Sequence, residues 1–171
     1  MLLFPIRACP LPDNALLEGY RSGGAYTDCF TTDIPMSVSQ AQYVSAFYTT
    51  FVFKLERLIL KWTVSKPSTD AQVKRLADGS IDSFAAWTVE ARSQNQLLMC
   101  DYQRLTRSWL MTVPLETGTR LYFGSAVVPR LNPRTGKYRL GFFVRALLGF
   151  HKLYSVMLLY AAKSRLGRLH D

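Results

Sequence analysis

The chain has 171 residues, 49% of them hydrophobic, which predicts a single domain with enough apolar residues for a sizeable core. It carries 21 basic and 12 acidic residues, yet residues 1–116 hold eleven of each sign. The excess therefore lies in residues 117–170, which hold ten basic residues and no acidic one. Such a one-signed block favours an anionic partner, whereas the alternative is a solvated basic face that only aids solubility.

The cysteines and histidines exclude several kinds of site. Cys9, Cys29 and Cys100 are far apart in the sequence and form no CxxC motif, so we expect neither a disulfide framework nor a zinc site. His151 and His170 are the only histidines, too few for a histidine-based metal cluster. We therefore expect no metal and no cofactor. A proline and an arginine interrupt the first apolar run, unlike in a secretory signal, which favours a cytoplasmic chain with reduced thiols.

Three prolines and a Gly-Gly pair predict that residues 1–23 form an irregular N-terminal arm, and residues 24–171 are predicted to form one domain. In the segment YTDCFTTDIP apolar residues alternate with polar or small ones, which predicts a strand. Ser37 and Gln40 have the spacing of a capping box, which predicts the start of a long helix. In that helix apolar residues recur every four positions, namely Tyr43, Phe47, Phe51, Leu55 and Ile59.

Residues 62–128 contain four β-like runs, FAAWTVEAR, QLLMCDYQR, TRSWLMTVP and TRLYFGSAVVP, which predict an antiparallel meander. Alternation in the third run is expected to place Trp109 and Met111 on one face of the sheet and Leu110 on the other. The strand limits within residues 62–82 stay open.

The last long element, residues 147–169, reads LLGFHKLYSVMLLYAAKSRLGRL and is long enough to span a membrane. His151 and Lys152 lie inside it, however, and a central charge disfavours insertion by at least about 2.5 kcal/mol. At about 100° per residue, Lys152 and Lys163 return to nearly the same side, so the helix has one basic edge and a wide apolar remainder. This pattern predicts a helix packed against a sheet rather than a membrane span.

A strand, a helix, several antiparallel strands and a long C-terminal helix, in this order, are typical of an α+β helix-grip fold, in which a curved antiparallel sheet wraps around the final helix. The segments YTDCF, CDYQR and GFHKLYSVMLLYAAKSRL resemble a bacterial domain-of-unknown-function family within the START-like, polyketide-cyclase-like superfamily (SRPBCC). The resemblance covers residues 24–166. It implies a helix-grip fold and a tendency to hold apolar small molecules, and it implies no particular reaction.

Such a cavity would be lined mainly by aromatic side chains. Trp87, Trp109 and Tyr122 lie on separate predicted strands, and Tyr154 is on the same side of the last helix as His151. The two helix residues would serve as polar anchors in a mostly apolar pocket. The alternative is that these rings form a packed core. The complete expected ligand-binding set is Trp87, Trp109, Met111, Tyr122, His151 and Tyr154.

Three functions remain open at this point. The first is non-catalytic binding of an apolar or amphipathic small molecule between the sheet and the C-terminal helix. The second is a cyclase-like or hydratase-like enzyme with His151 as general acid and base. Asp101 is expected to pair with Arg104 or Arg107 rather than to act as a base. The third is transient peripheral binding to an anionic membrane surface through Arg130, Arg134, Lys137 and Arg139.

A nucleic-acid partner is the least favoured alternative, because it would rest on charge alone without a recognised binding motif. The sequence contains neither a complete phosphate-binding loop nor a nucleophile elbow. The oligomeric state stays open.

Overall fold

The computed structural model describes residues 5–50, 69–128, 130–131, 138–139 and 142–170, with side chains for residues 5–50, 69–128 and 152–168. In this part of the chain the fold is α+β, with a curved, unclosed antiparallel sheet of seven strands and a long C-terminal helix. In chain order the elements are β1 (Arg7–Ala8), α1 (Glu18–Ser22), β2 (Tyr26–Ile34), α2 (Gln40–Tyr48), α3 (Asp70–Ala77), β3 (Ser83–Phe84), β4 (Trp87–Ser93), β5 (Gln96–Asp101), β6 (Thr106–Leu115), β7 (Gly118–Val127), β8 (Arg130–Leu131), β9 (Tyr138–Arg139) and α4 (Phe142–His170).

The strands of the sheet follow the order β1-β2-β7-β6-β5-β4-β3, and each neighbouring pair is antiparallel. Strand β2 lies beside β7, in a register that runs from Tyr26 opposite Val127 to Ile34 opposite Thr119. The chain between β2 and β3 therefore connects an inner strand to the far edge of the sheet, and it carries α2 and α3. The strands predicted from alternation, β2 and β4 to β7, are confirmed.

Helix α2 begins at a capping box formed by Ser39 and Gln42, two residues after the box predicted from the sequence. Gln42 donates its backbone N–H to Ser39 Oγ at 3.2 Å, and Ser39 donates its own to Gln42 Oε1 at 2.8 Å. The predicted pair of Ser37 and Gln40 is wrong. The helix begins at Gln40, so its N-cap is the residue directly before it, Ser39, and the third helical residue is Gln42. The rest of the predicted helix, residues 51–59, lies outside the described residues.

Helix α3 is not predicted by the sequence pattern, which favours β-like structure in residues 62–82. Its N-terminus is a second capping box, in which Gln72 donates its backbone N–H to Thr69 Oγ1 at 3.3 Å. The two apolar residues that α3 buries completely, Val73 and Leu76, are three positions apart. A helix this short buries too few apolar residues to produce a helical periodicity in the sequence. The capping box is therefore the local feature that indicates where the helix begins.

Apolar side chains are buried on both faces of the sheet. One face packs against the helices, and its core includes Phe47 of α2, Phe123 of β7 and Leu159 of α4. The other face is covered by residues 5–23, which we call the N-terminal segment. Its fully buried Leu17 belongs to the same cluster as Trp109. This segment contains β1 and α1, so the prediction of an irregular arm misses a strand and a short helix that hold it to the sheet.

Candidate functional site

The sheet separates the residues that the sequence predicts to share a cavity. Met111 of β6 is paired with Tyr122 of β7, and both lie with Trp109 on the face covered by the N-terminal segment. Trp87 and Tyr154 pack against the core on the opposite, helix-covered face. Alternation fixes this division, because residues two apart on a strand, and direct partners on neighbouring strands, share a face. The prediction of one cavity lined by all these rings is therefore wrong.

Trp109 links the N-terminal segment to the sheet. It is fully buried, and its indole Nε1 donates to Gln96 Oε1 at 2.8 Å. The same oxygen accepts the backbone N–H of Leu16 at 2.9 Å, and Gln96 Nε2 donates to the carbonyl oxygen of Asn14 at 3.0 Å. Gly124, the partner of Trp109 on β7, leaves room for the indole ring. These contacts give Trp109 a structural role.

Asp101 organises the turn between β5 and β6. Its Oδ1 accepts backbone N–H groups from Leu105 at 2.7 Å and Thr106 at 2.9 Å. The predicted pairing with an arginine is wrong, because Arg107 instead contacts Glu90, at 2.8 Å between Nε and Oε2. Because the Asp101 carboxylate accepts hydrogen bonds from the backbone of the turn, Arg107 pairs with a different carboxylate, that of Glu90.

His151 belongs to α4, but its side chain is not among those described. The hypothesis of an enzyme that uses His151 as general acid and base therefore stays a prediction. Nearby on the buried side of α4, Ser155 is fully enclosed, and its hydroxyl has no hydrogen-bond partner among the described residues. A buried hydroxyl without a partner is unfavourable by about 1–3 kcal/mol, so this position is a candidate polar contact for a bound molecule.

A groove of about 380 Å³ lies between α2, α3 and the C-terminal part of α4. Its described lining includes Ser45 of α2, Lys74 and Ala77 of α3 and Leu166 of α4, and contains no residue of the sheet. The groove therefore differs in place from the predicted cavity, which lies between the sheet and α4.

The outer face of α4 is unusually apolar for a surface. Leu153, Met157 and Tyr160 are 57%, 47% and 63% exposed. Their spacings of four and three residues place them on one side of the helix, and we call them the exposed ridge. Within the described residues, the fourth large hydrophobic side chain with comparable exposure is Tyr102, which lies in the turn after β5.

The opposite side of α4 is buried in the protein. Helix α4 packs mainly against α2, and also against β2 and β7. Its buried residues Leu158, Leu159 and Ala162 belong to the helix-side core. The helix is thus apolar on two sides, one packed against the protein and one exposed to solvent. An exposed apolar side of this kind is typical of an interaction surface.

Positive charges border the exposed ridge. Lys152 and Arg168 are exposed, Arg165 is half-buried, and residues 142–170 contain no aspartate or glutamate. Lys163 points toward the sheet, where its Nζ donates to Thr32 Oγ1 at 3.2 Å. Burial lowers the pKa of Lys163, while the carboxylate of Asp33 opposes that shift. Among the described side chains of α4, the charged ones are therefore all basic.

The remaining basic residues of the predicted anionic surface are only partly described. Arg130 and Arg139 are direct partners in the short β8-β9 ladder, which places them opposite each other. Arg134 and Lys137 lie outside the described residues. Their part in an anionic surface stays a prediction.

Two of the three cysteines, far apart in the sequence, are in contact in the structure. Cys9 and Cys29 are in contact, with 3.3 Å between their Sγ atoms. Both are free thiols, as is the buried Cys100. No sequence pattern predicts this contact, because it follows from the antiparallel pairing of β1 with β2.

No known protein-family model matches the chain, and no curated protein shows significant similarity to it. The resemblance to the START-like superfamily therefore stays a prediction. In the part of the chain that the structure describes, no helix combines the length and the apolar character required to cross a bilayer.

Proposed function

We propose that this protein docks reversibly on anionic membrane surfaces through the outer face of α4. The observation that carries the proposal is the exposed ridge of Leu153, Met157 and Tyr160 next to basic side chains. An interfacial helix binds in this way, with its apolar side in the boundary between headgroups and acyl chains and its cations beside the phosphates.

The apolar contribution comes from side chains that are already half-exposed. Complete burial of a leucine, methionine or similar side chain stabilises by about 1.5–3 kcal/mol, so each ridge residue can contribute about 1 kcal/mol on entering the lipid boundary. Because the other side of α4 packs against α2 and the sheet, the helix would lie along the surface rather than across the bilayer. The result is a shallow and reversible attachment.

The charges select the lipid. Each basic residue close to an anionic leaflet contributes about 1 kcal/mol, and this contribution vanishes within about one Debye length. Lys152 and Arg168 flank the ridge without a neighbouring acid on the same helix. A second copy of the chain fits the outer face of α4 less well than an anionic membrane does, since two such faces would bring like charges together.

Vesicle flotation tests this proposal. The purified protein should float with vesicles of phosphatidylcholine and phosphatidylglycerol but not with phosphatidylcholine alone. Replacing the ridge by serine (Leu153→Ser, Met157→Ser and Tyr160→Ser together) should weaken binding at least about tenfold, since 1.4 kcal/mol corresponds to a factor of ten. Tyr102→Ser is the matched control, because it removes the exposed hydrophobic residue that lies away from α4. Circular dichroism verifies that each variant is folded.

Equal binding to both vesicle types would contradict the role of charge, and unchanged binding of the ridge variant would contradict the role of the ridge. Light scattering gives a further check. A dimer that dissociates in the ridge variant would show that a second copy of the chain, and not lipid, covers this face.

A second candidate is a helix-grip protein that binds an apolar or amphipathic small molecule, and the buried hydroxyl of Ser155 favours it. The strand order also supports a helix-grip fold, since β2 lies beside the last long strand and the C-terminal helix packs over both. A pocket on that side would lie near Trp87 and Tyr154, which pack against the same core.

Native mass spectrometry of freshly purified protein tests this second candidate by asking whether an apolar molecule co-purifies. Titration with long-chain fatty acids should quench tryptophan fluorescence through Trp87, so Trp87→Phe should reduce the quenching. Trp109→Phe is the matched control, because Trp109 lies on the opposite face of the sheet. Absence of both a co-purified molecule and any quenching would exclude this candidate.

A further inference from the structure

The N-terminal segment is joined to the sheet by a pair of thiols. Strand β1 is antiparallel to β2, with Arg7 opposite Thr31 and Ala8 opposite Phe30. Cys9 and Cys29 continue this register by one residue, and the backbone N–H of Cys9 donates to the carbonyl oxygen of Cys29 at 3.0 Å. Directly opposed residues of an antiparallel pair have Cα atoms about 4.5–5.5 Å apart, inside the range of about 4.4–6.8 Å that a disulfide requires.

The sulfur atoms are also near enough to react. Their separation of 3.3 Å needs only side-chain rotation to reach the length of an S–S bond, about 2.05 Å. The two cysteines are 20 positions apart in the sequence, so a bond between them would close residues 9–29, which include α1, into a loop. Cys100 lies on β5, away from this strand pair, and is buried.

The surroundings make the two thiols unequal. Cys9 is half-buried. The hydrogen bond with Cys29 lowers the pKa of the Cys9 thiol, burial opposes this shift, and the positive charges of Arg120 and Arg7 add to the lowering. Cys29 is buried, and the hydrogen bond with Cys9 together with this burial raises the pKa of the Cys29 thiol. Since the thiolate is the nucleophile, Cys9 is the sulfur that reacts first.

We propose that Cys9 and Cys29 form a peroxide-sensitive dithiol site that fastens the N-terminal segment to the sheet by a reversible disulfide. The oxidant is a hydroperoxide, which receives the two electrons. The Cys9 thiolate attacks the outer oxygen, the O–O bond breaks, and Cys9 becomes a sulfenic acid while water or an alcohol leaves. The Cys29 sulfur, as it gives up its proton, then attacks the Cys9 sulfur. The S–O bond breaks as the S–S bond forms, and the leaving hydroxide takes that proton and departs as water. A dithiol reductant reverses the reaction.

The test is the intact mass of the protein after brief treatment of the folded chain with hydrogen peroxide and then alkylation of the remaining thiols in denaturant, which exposes the buried Cys100. The wild-type chain should lose two hydrogen atoms and accept one alkyl group, on Cys100. Peptide mapping should find Cys9 linked to Cys29, and dithiothreitol should restore alkylation of all three cysteines.

Variants separate the two roles. Cys100→Ser is the matched control and should still form the bond, whereas Cys29→Ser should stop at a Cys9 sulfenic acid that dimedone traps. Dimedone adducts on Cys100 instead of Cys9 would overturn the assignment of the nucleophile. A wild-type map that shows no Cys9 to Cys29 link, or a link that forms no faster than in urea-unfolded protein, would overturn the site, and this result requires no variant to fold.

Discussion

Arg120 and Asp33 form a two-point ion pair between directly opposed residues of β7 and β2, with 2.6 Å from Nε to Oδ1 and 2.9 Å from Nη2 to Oδ2. The pair joins the strand before the helices to the last long strand of the meander. Parallel N–H···O bonds of this kind combine charge with a fixed direction, so the pair also supports the register of these two strands.

This pair should make stability depend on pH in the acid range. The hydrogen bond from Arg120 lowers the pKa of Asp33, so the folded state binds a proton on this carboxyl less readily than the unfolded chain does. The stabilisation is therefore complete above the unfolded pKa, about 3.9, and is lost as pH falls through the lower folded value. Denaturation by urea between about pH 6 and pH 2 should show a difference of about 1 kcal/mol between wild type and Asp33→Asn that shrinks toward acid. A constant difference would contradict the role of ionisation.

Gln96 should be required for attachment of the N-terminal segment. Gln96→Leu leaves two buried donors, the indole Nε1 of Trp109 and the backbone N–H of Leu16, without their acceptor. Each unsatisfied donor is unfavourable by about 1–3 kcal/mol, so we expect a loss of about 2–4 kcal/mol in the free energy of unfolding. Gln94→Leu at an exposed neighbouring position should change it by less than about 0.5 kcal/mol. Equal effects of the two changes, measured by urea denaturation, would contradict this prediction.

Two glycines should respond to alanine in opposite ways. A Cβ at Gly124 would lie 2.9 Å from Cε3 of Trp109 and 3.0 Å from the backbone oxygen of Asp28, so Gly124→Ala should destabilise by about 1–3 kcal/mol. At Gly167 in α4 a Cβ meets nothing within 4 Å, and Gly167→Ala should stabilise by about 0.5–1 kcal/mol through helix propensity. Thermal unfolding of both variants measures the signs. Two changes of the same sign would show that the space around these residues is not the deciding factor.

Membrane docking should be sensitive to salt. Raising the salt concentration from about 50 to 300 mM shortens the Debye length and should weaken flotation with anionic vesicles steeply. Replacing Lys152 and Arg168 by serine should weaken binding at low salt and flatten the salt dependence, while the ridge variant should weaken binding at every salt concentration. Replacing Arg130, Arg134, Lys137 and Arg139 by serine tests the contribution of the segment before α4. Binding that does not change with salt would mean that the basic residues form only a solvated surface.

The strands could be predicted from the sequence because their pattern is local. Side chains of a strand alternate between its two faces wherever the strand lies, so the runs around Trp109 and Tyr122 predict strands without knowledge of their neighbours. The same alternation correctly separates Leu110 from Trp109. The short helix α3 carries too few apolar residues for such a pattern, and its capping residues Thr69 and Gln72 are the local signal of its start.

The tertiary structure decided which face of each strand meets the helices. If only one face of the sheet were covered, every buried ring would lie on the side of α4. The N-terminal segment covers the second face as well, so Trp109 and Tyr122 lie in a separate core. The contact of Cys9 with Cys29 depends on the pairing of β1 with β2, and the exposure of Leu153, Met157 and Tyr160 depends on which side of α4 packs against α2. Periodicity divides residues into two sides of an element, whereas only packing between distant parts of the chain determines what covers each side.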